Sequence, residues 1–378
     1  MSLRVSRWLS FALSLASGAV ALPHRRAQCA STLSTAAAVS IRIHDLYQAR
    51  SEIDSDNGGE LWTDTNAIED IHNYMLAAGS TTYDSLADQT RIGIAAQDPG
   101  QDWDSFFGGS YDDAQWVILA YWKVADYKNA HGEDATNYLD SARAIYNLIT
   151  EQWDDTCGGG VWWSSAKTYK NAITNELFLL TSAQGYKRYG DQTMLDNAQK
   201  TWAWLEGSGM RNSGGLFNDG LNSDTCQNNG QTTWTYNQGV IASGLGTLAS
   251  ITGNTTLFSQ AEITLDATIA QLTVNDILKE SCDDAASSTC NHDQQIFKGI
   301  WTKHVQYYLD AANDASRTAK YSAFLGSQAS AILHYGKDAN NDVGNVWYAP
   351  SQGGSIFGPE PSASGLAGTL AAAKYGPC

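Results

Sequence analysis

The chain is short of positive charge. Among its 378 residues, 23 lysines and arginines face 40 aspartates and glutamates, a formal net charge of −17 at pH 7. Such a surface repels nucleic acid and anionic membrane, and neither is expected as a partner. Several chemical signatures are missing too. There is no His-Glu-x-x-His zinc helix, no Gly-x-Ser-x-Gly elbow and no phosphate-binding glycine loop. The seven histidines show no metal-ligand spacing, and the six cysteines match no zinc pattern. Asp54-Ser55-Asp56-Asn57-Gly58-Gly59-Glu60 hints at a calcium loop. However, Gly58 stands where a ligand is required and the distant Glu is missing, so the segment reads as a turn. No metal is expected. Past the N-terminal segment no apolar run is long enough to cross a membrane, and the C-terminus lacks the hydrophobic tail of a lipid anchor.

What the N-terminus does have is a secretory pattern over residues 1–21. Arg4 and Arg7 form a basic region, Trp8 to Val20 an apolar one, and Ala19-Val20-Ala21 a small-x-small cleavage site. Arg25-Arg26 offers a dibasic processing site, and removing these four arginines leaves the mature chain more acidic still. Secretion into an oxidising compartment suits the even number of cysteines. Cys282 and Cys290 bracket a short polar loop and form the first expected pair. Asn254-Thr255-Thr256 is an acceptable glycosylation sequon.

The remaining pattern is helical throughout, with about twelve candidate helices near 36–51, 64–78, 83–97, 113–129, 134–150, 171–189, 192–206, 237–252, 255–273, 293–310, 316–334 and 362–373. They fall into two kinds. Trp116-Val117-Ile118-Leu119-Ala120-Tyr121-Trp122 is apolar on every side, as are Leu177-Phe178-Leu179-Leu180 and Val240-Ile241-Ala242-Ser243-Gly244-Leu245-Gly246. By contrast, Tyr138, Leu139, Ala142, Ile145, Tyr146 and Ile149 mark a single buried face. Alternation of the two kinds implies an inner ring wrapped by an outer one. The expected fold is therefore all-α, a single-domain (α/α)6 toroid over residues 36–378, with 22–35 as an N-terminal segment and a monomer as the expected state. Three glycine-aromatic loops, Gly58-Gly59…Trp62, Gly158-Gly159-Gly160-Val161-Trp162-Trp163 and Gly214-Gly215-Leu216-Phe217, each precede a buried helix and should gather their aromatics at one mouth. Closing the ring would bring the first and last helices together, leaving Cys29–Cys378 and Cys157–Cys226 as the other pairs.

Chemistry concentrates at Gly108-Gly109-Ser110-Tyr111-Asp112-Asp113-Ala114-Gln115-Trp116. Glycosidic cleavage needs two carboxyl groups flanking one bond, one to donate a proton and one to attack carbon or activate water. Neighbouring aspartates on a helix can approach the retaining separation of about 5–5.5 Å. The helix N-terminus favours one ionised carboxylate, and that charge, with burial beside Tyr111 and Trp116, holds a proton on the other. The plainer alternative is a capping box, since Ser110-x-x-Asp113 is itself a helix-start pattern. An acidic cap would not, however, lead directly into a helix that is apolar on all faces. Tyr111, Trp116, Trp162, Trp163, Tyr236, Asn237 and Gln238 are candidates for sugar contact, the aromatics by stacking and the amides by hydrogen bonding to hydroxyls. Asn171 and Asn175, one turn apart on a buried helix, either line the cleft or cap neighbours.

Tyr111-Asp112-Asp113-Ala114-Gln115-Trp116 resembles the Asp-Asp motif of glycoside hydrolase family 76, the α-1,6-mannanases. So do Gly159-Gly160-Val161-Trp162-Trp163 with Lys170-Asn171-Ala172-Ile173-Thr174-Asn175-Glu176-Leu177, then Trp234-Thr235-Tyr236-Asn237-Gln238-Gly239-Val240, and finally Phe297-Lys298-Gly299-Ile300. The resemblance runs in the family's order over nearly the whole mature chain. It implies an (α/α)6 fold, α-1,6-mannan or mannooligosaccharide as substrate, retention of configuration and no cofactor. It also implies Asp112 as nucleophile and Asp113 as general acid/base. The family's cell-wall branch carries Asn-Asp-Asp-Gln where this chain has Tyr-Asp-Asp-Ala. A secreted hydrolase is therefore expected over a wall transglycosylase, and the intact Asp pair argues against a non-catalytic mannan-binding protein.

Overall fold

A computed structural model describes residues 28–49, 61–350 and 353–378. The signal segment 1–21, the Arg25-Arg26 pair and the turn at 54–60 lie outside the described residues. Helices α1 (Ala30–Ala49), α2 (Leu61–Ala78), α3 (Arg91–Gln97) and α4 (Trp103–Phe107) come first. They are followed by α5 (Tyr111–Ala130), α6 (Thr136–Thr150), α7 (Ala172–Tyr189), α8 (Gln192–Gly207) and α9 (Thr235–Thr252). The last are α10 (Thr256–Gln271), α11 (His292–Ala312), α12 (Ala315–Ala331) and α13 (Pro359–Tyr375). A two-stranded hairpin, β1 (Thr273–Val274) with β2 (Ile277–Leu278), follows α10.

Helix packing closes on itself. α2 packs on α5, α5 on α7, α7 on α9, α9 on α11, α11 on α13, and α13 returns to α2. Outside this ring α1 and α12 cover α13, while α6, α8 and α10 cover α5, α7 and α9. The two burial patterns explain the sorting. Along α5 every residue from Ala114 to Trp122 is buried, as an inner helix requires, whereas α6 buries only Tyr138, Ser141, Ala142, Ile145, Tyr146 and Ile149. This is the expected (α/α)6 toroid, six inner helices within an outer layer.

The outer position between α2 and α5 departs from the expected continuous helix at 83–97. It is broken into a 3-10 turn (Ala87–Gln89) and the short α3, with α4 after it. Thr90 makes the break: its backbone is extended, and its hydroxyl donates to Ala87 O (2.7 Å) and accepts from Gly93 N (3.1 Å). At the N-terminus α1 begins at Ala30, earlier than expected, and Cys29 N donates to Ala373 O at 2.7 Å. That contact joins the two ends of the chain. Disulfides link Cys29–Cys378, Cys157–Cys226 and Cys282–Cys290, the three expected pairs. Among the described residues no helix is long and apolar enough to cross a membrane.

Candidate active site

The start of α5 is fastened to the glycine-tryptophan loop before α7. Ser110 and Ser164 form an antiparallel bridge, Tyr111 N donates to Trp163 O (3.0 Å), and Ser165 N donates to Gly109 O (2.9 Å). Gly109 allows this approach, because it sits at φ 79° and a Cβ there would lie 2.1 Å from Ser165 Oγ. On the loop's other side, Gly160 has φ 93° and lies flat on Trp204, whose ring a Cβ would meet at 2.7 Å.

This fastening brings Trp163 to the acid pair. Its indole Nε1 donates to Asp112 Oδ2 at 3.0 Å. The other oxygen, Oδ1, accepts from the Ser110 hydroxyl (3.1 Å) and from Asp113 N (3.1 Å). Ser110 is the helix N-cap residue by position but makes no side-chain cap. Its hydroxyl is committed to Asp112 instead, so the capping-box alternative does not describe this helix start. Burial pushes the Asp112 carboxyl up to about 6, against the downward pull of the Trp163, Ser110 and backbone hydrogen bonds. The site therefore holds a carboxylate that is costly to ionise and is supplied with donors for its anion.

Both aspartates open into a cavity of about 570 Å³ at the N-terminal ends of the inner helices. Trp116, Trp163, Asn171 and Tyr236 line it as well. Asn171 Oδ1 also caps α7 by accepting from Thr174 N (3.2 Å), so lining and capping coexist. Trp116 stacks near Trp62 (5.8 Å), and Tyr236 lies flat against Phe297, with centroids 3.9 Å apart and planes within 7°.

Other candidates are placed away from the cavity. Tyr111 is buried in the apolar core, and only its backbone holds the tryptophan loop. Trp162 is buried, donates to Asp154 Oδ2 (2.6 Å) and lies under Lys170 Nζ (4.6 Å). Extended backbone sends consecutive side chains to opposite faces, so Trp163 faces the cavity and Trp162 cannot. Asn175 clamps Val161 through both backbone groups (2.7 and 3.0 Å) and also donates to Asn171 O (2.9 Å). Gln238 does the same to Phe217 (2.8 and 2.9 Å). Asn237 is fully buried and outside the cavity wall. Asn175 and Gln238 thus shape the loops rather than face the open space, whereas the Asn237 amide makes no hydrogen bond among the described residues.

Sequence reasoning missed Tyr169, Asp219, Asp293 and Phe297 as cavity residues. Trp62 Nε1 donates to Asp293 Oδ1 (2.7 Å), and the Tyr169 hydroxyl donates to Asp219 Oδ2 (2.5 Å). Burial raises the Asp219 carboxyl. The glycine-aromatic loops did carry a signal. Trp62 and Trp163 converge as expected, but Phe217 is core, and its loop contributes Asp219 two residues on. Among the described residues no cluster of three or more histidines, cysteines or acids could hold a metal.

The family model for Glycosyl hydrolase family 76 matches residues 31–375. A putative mannan endo-1,6-alpha-mannosidase of Schizosaccharomyces pombe is 23% identical over 76% of this chain and 67% of its own length. The mannan endo-1,6-alpha-mannosidase DCW1 of Saccharomyces cerevisiae is 28% identical over 52% of this chain and 45% of its own. The chain thus spans roughly half to two thirds of the length of the curated relatives it matches. Among solved structures, Dfg5 from Chaetomium thermophilum in complex with glucosamine superposes with TM-score 0.78 at 16% identity, over 90% of each chain. An α-1,6-mannanase of Salegentibacter sp. HEL1_6 gives TM-score 0.74 at 18% identity, covering 90% of this chain and 99% of that one. That structure is an inactive variant, with two consecutive aspartates replaced by asparagine, bound to α-1,6-mannotriose. At these identities the likeness establishes the fold. The family match runs from the first turn of α1 to the end of α13, and the chain belongs to glycosyl hydrolase family 76.

Proposed function

We propose that this chain is a secreted, retaining endo-α-1,6-mannanase in which Asp112 is the nucleophile and Asp113 the general acid/base. The observation that carries the reading is the hydrogen bonding of Asp112, which accepts from Trp163, Ser110 and the Asp113 amide while facing the same cavity as Asp113. Those donors stabilise and orient a carboxylate. In the first step the Asp112 oxygen bonds to the anomeric carbon, the glycosidic C–O bond breaks, and Asp113 gives its proton to the departing O6. Asp113 then takes a proton from water, whose oxygen displaces Asp112 and restores the starting configuration. The aromatic wall of Trp62, Trp116, Trp163 and Tyr236 suits the apolar faces of sugar rings. The relatives named as mannan endo-1,6-alpha-mannosidases and the Salegentibacter complex support α-1,6-linked mannose as substrate. In that mannanase, too, the residues altered in the inactive variant are an adjacent aspartate pair.

The test is release of reducing ends from unbranched α-1,6-mannan. Asp112→Asn and Asp113→Asn should each lower turnover about a thousand-fold or more, with the fold unchanged by circular dichroism. Wild-type turnover in either variant removes that residue from its role. Products longer than the substrate would reassign the chain to glycan transfer, and binding without any product would make it a lectin-like module.

A further inference from the structure

Acids are matched differently at the two ends of the ring. At the far end Asp126 is held through both oxygens by Arg188 (2.7 and 2.8 Å), Glu69 accepts from Lys303 (2.7 Å), and Asp310 pairs with Lys374 (2.6 Å). Around the 570 Å³ cavity, among the described residues, no lysine, arginine or histidine lines the wall, and neutral donors stand in for them. Most of those donors are spent on the acids: Trp163 and Ser110 on Asp112, Trp62 on Asp293, and Tyr169 on Asp219. Three lining donors are not. Among the described residues Trp116 Nε1, Asn171 Nδ2 and the Tyr236 hydroxyl make no hydrogen bond, and none of the three is sealed from the open space. A donor left unpaired and open to a cavity is available to whatever enters it.

Tyr236, the second residue of α9, stands among the acids. Its ring is fixed, lying flat on Phe297 with centroids 3.9 Å apart and with Trp62 at 6.5 Å. Phe297 covers one ring face, so the hydroxyl is the distinctive group that Tyr236 offers a sugar. Burial, and after it the charges of Asp219, Asp112, Glu176 and Asp293, push the phenol well above its ordinary pKa. It therefore keeps its proton at any working pH and serves as a donor.

The acceptor follows from the chemistry. The Asp112 charge is felt at the hydroxyl, which puts Tyr236 beside the sugar unit that Asp112 would attack. A donor to that unit's ring oxygen would draw electrons from the atom that must supply them to an oxocarbenium-like transition state. A donor to the adjacent C2 hydroxyl has no such drawback, and hydrogen bonds at that hydroxyl strengthen in the transition state.

We infer that Tyr236 is a further catalytic residue, acting through its hydroxyl by donating a hydrogen bond to the C2 hydroxyl of the mannose unit that Asp112 attacks. The inference rests on the α-1,6-mannanase reading above.

The experiment is Tyr236→Phe, which keeps the ring and its contact with Phe297. Because the hydroxyl makes no hydrogen bond among the described residues, the variant should melt together with the wild type. Its kcat/KM on unbranched α-1,6-mannan should nevertheless fall about ten- to a hundred-fold, mostly in kcat. A second pair of substrates locates the contact: an aryl α-1,6-mannobioside, and its analogue with hydrogen in place of the C2 hydroxyl on the cleaved unit. The ratio of wild-type to variant kcat/KM should be large on the first and close to one on the second, since both changes remove the same interaction. A variant as active as the wild type overturns the inference and leaves the mannanase reading standing. An equal loss on both glycosides also overturns it, by placing the hydroxyl on another oxygen, and a melting temperature that falls with the activity would make the hydroxyl structural. A wild-type protein inert on mannan and on both glycosides removes the mannanase reading and this inference with it.

Discussion

At one end of the ring the first turns of α2, α5, α9 and α11 present Trp62, Asp112, Tyr236 and Asp293. At the other, later turns of α5 and α7 present Lys123, Lys187 and Arg188. The same inner helices build both ends. Because they enter from one mouth, their N-terminal amides all face it, and acids are favoured there while bases are favoured at the exit. The acidic mouth adds a second device. Each of three acids is held through one oxygen by an aromatic donor: Trp163 on Asp112, Trp62 on Asp293 and Tyr169 on Asp219. At the far end the pairing is basic residue to acid. Aromatic donors leave the carboxyl groups less neutralised than a lysine or arginine would, which suits the proposed exchange of protons at Asp112 and Asp113.

The sharpest break of this contrast is Asp112→Asn, which removes the donated-upon acid altogether. Beyond the loss of turnover, it should change stability in a pH-dependent way. Burial raises the folded-state pKa of Asp112 from 3.8 to about 6. The native state therefore holds this proton more tightly than the unfolded chain, and ionising Asp112 costs stability as pH rises through that window. Asparagine has no such cost. The variant should melt a few degrees above wild type at pH 7 and alongside it near pH 4, as thermal scans at both pH values would report. A lower melting point at pH 7 would contradict the raised pKa.

Trp163→Phe sharpens the comparison by keeping a ring and deleting the donor. The Trp163 hydrogen bond lowers the Asp112 pKa, so its loss should raise it further. The expected result is a drop in kcat/KM of about ten- to a hundred-fold. The acid limb of the pH profile, near 6 in wild type, should move upward. A uniform loss at every pH would instead indicate that only stacking was lost. Asn175→Ala acts one step back. It deletes the clamp on Val161 and leaves buried backbone groups unpaired, at a cost of about 3 kcal/mol in urea unfolding. Turnover at moderate temperature should fall only several-fold, since Trp163 remains tethered by Tyr111 N.

How much of this was readable beforehand follows from periodicity. An inner helix must be apolar on all sides and an outer one on a single side, so the ring is legible in the sequence of α5, α6, α7 and α9. The acid pair was visible because its two members are adjacent in the chain. The broken outer helix was hidden, because one threonine hydroxyl redirects the backbone at Thr90. Likewise hidden were Asp219 and Asp293, which reach the cavity only through loop and ring closure, from about a hundred residues or more away in sequence. Amide-rich motifs were the misleading signal. Asn175 and Gln238 suit sugar hydroxyls, yet they suit the unpaired backbone of a glycine-rich loop equally well, and that is where they are spent.

The smallest expected effect tests the same comparison on two adjacent residues. Trp163 is 42% exposed and donates into the cavity, while Trp162 is 5% exposed and donates to Asp154 behind the loop. If facing decides function, Trp162→Phe should change kcat and KM by less than about two-fold, while costing about 1 kcal/mol of stability for the lost hydrogen bond. Asp154 keeps Lys170 Nζ at 2.7 Å, so it is not left without a partner. The Lys170 and Asp154 contacts also hold the loop from below, with Lys170 Nζ donating to Thr156 O and Gly159 O at 2.8 Å each. A loss in Trp162→Phe as large as that in Trp163→Phe, with the melting temperature nearly unchanged, would mean that the loop turns over in solution and that both rings visit the sugar.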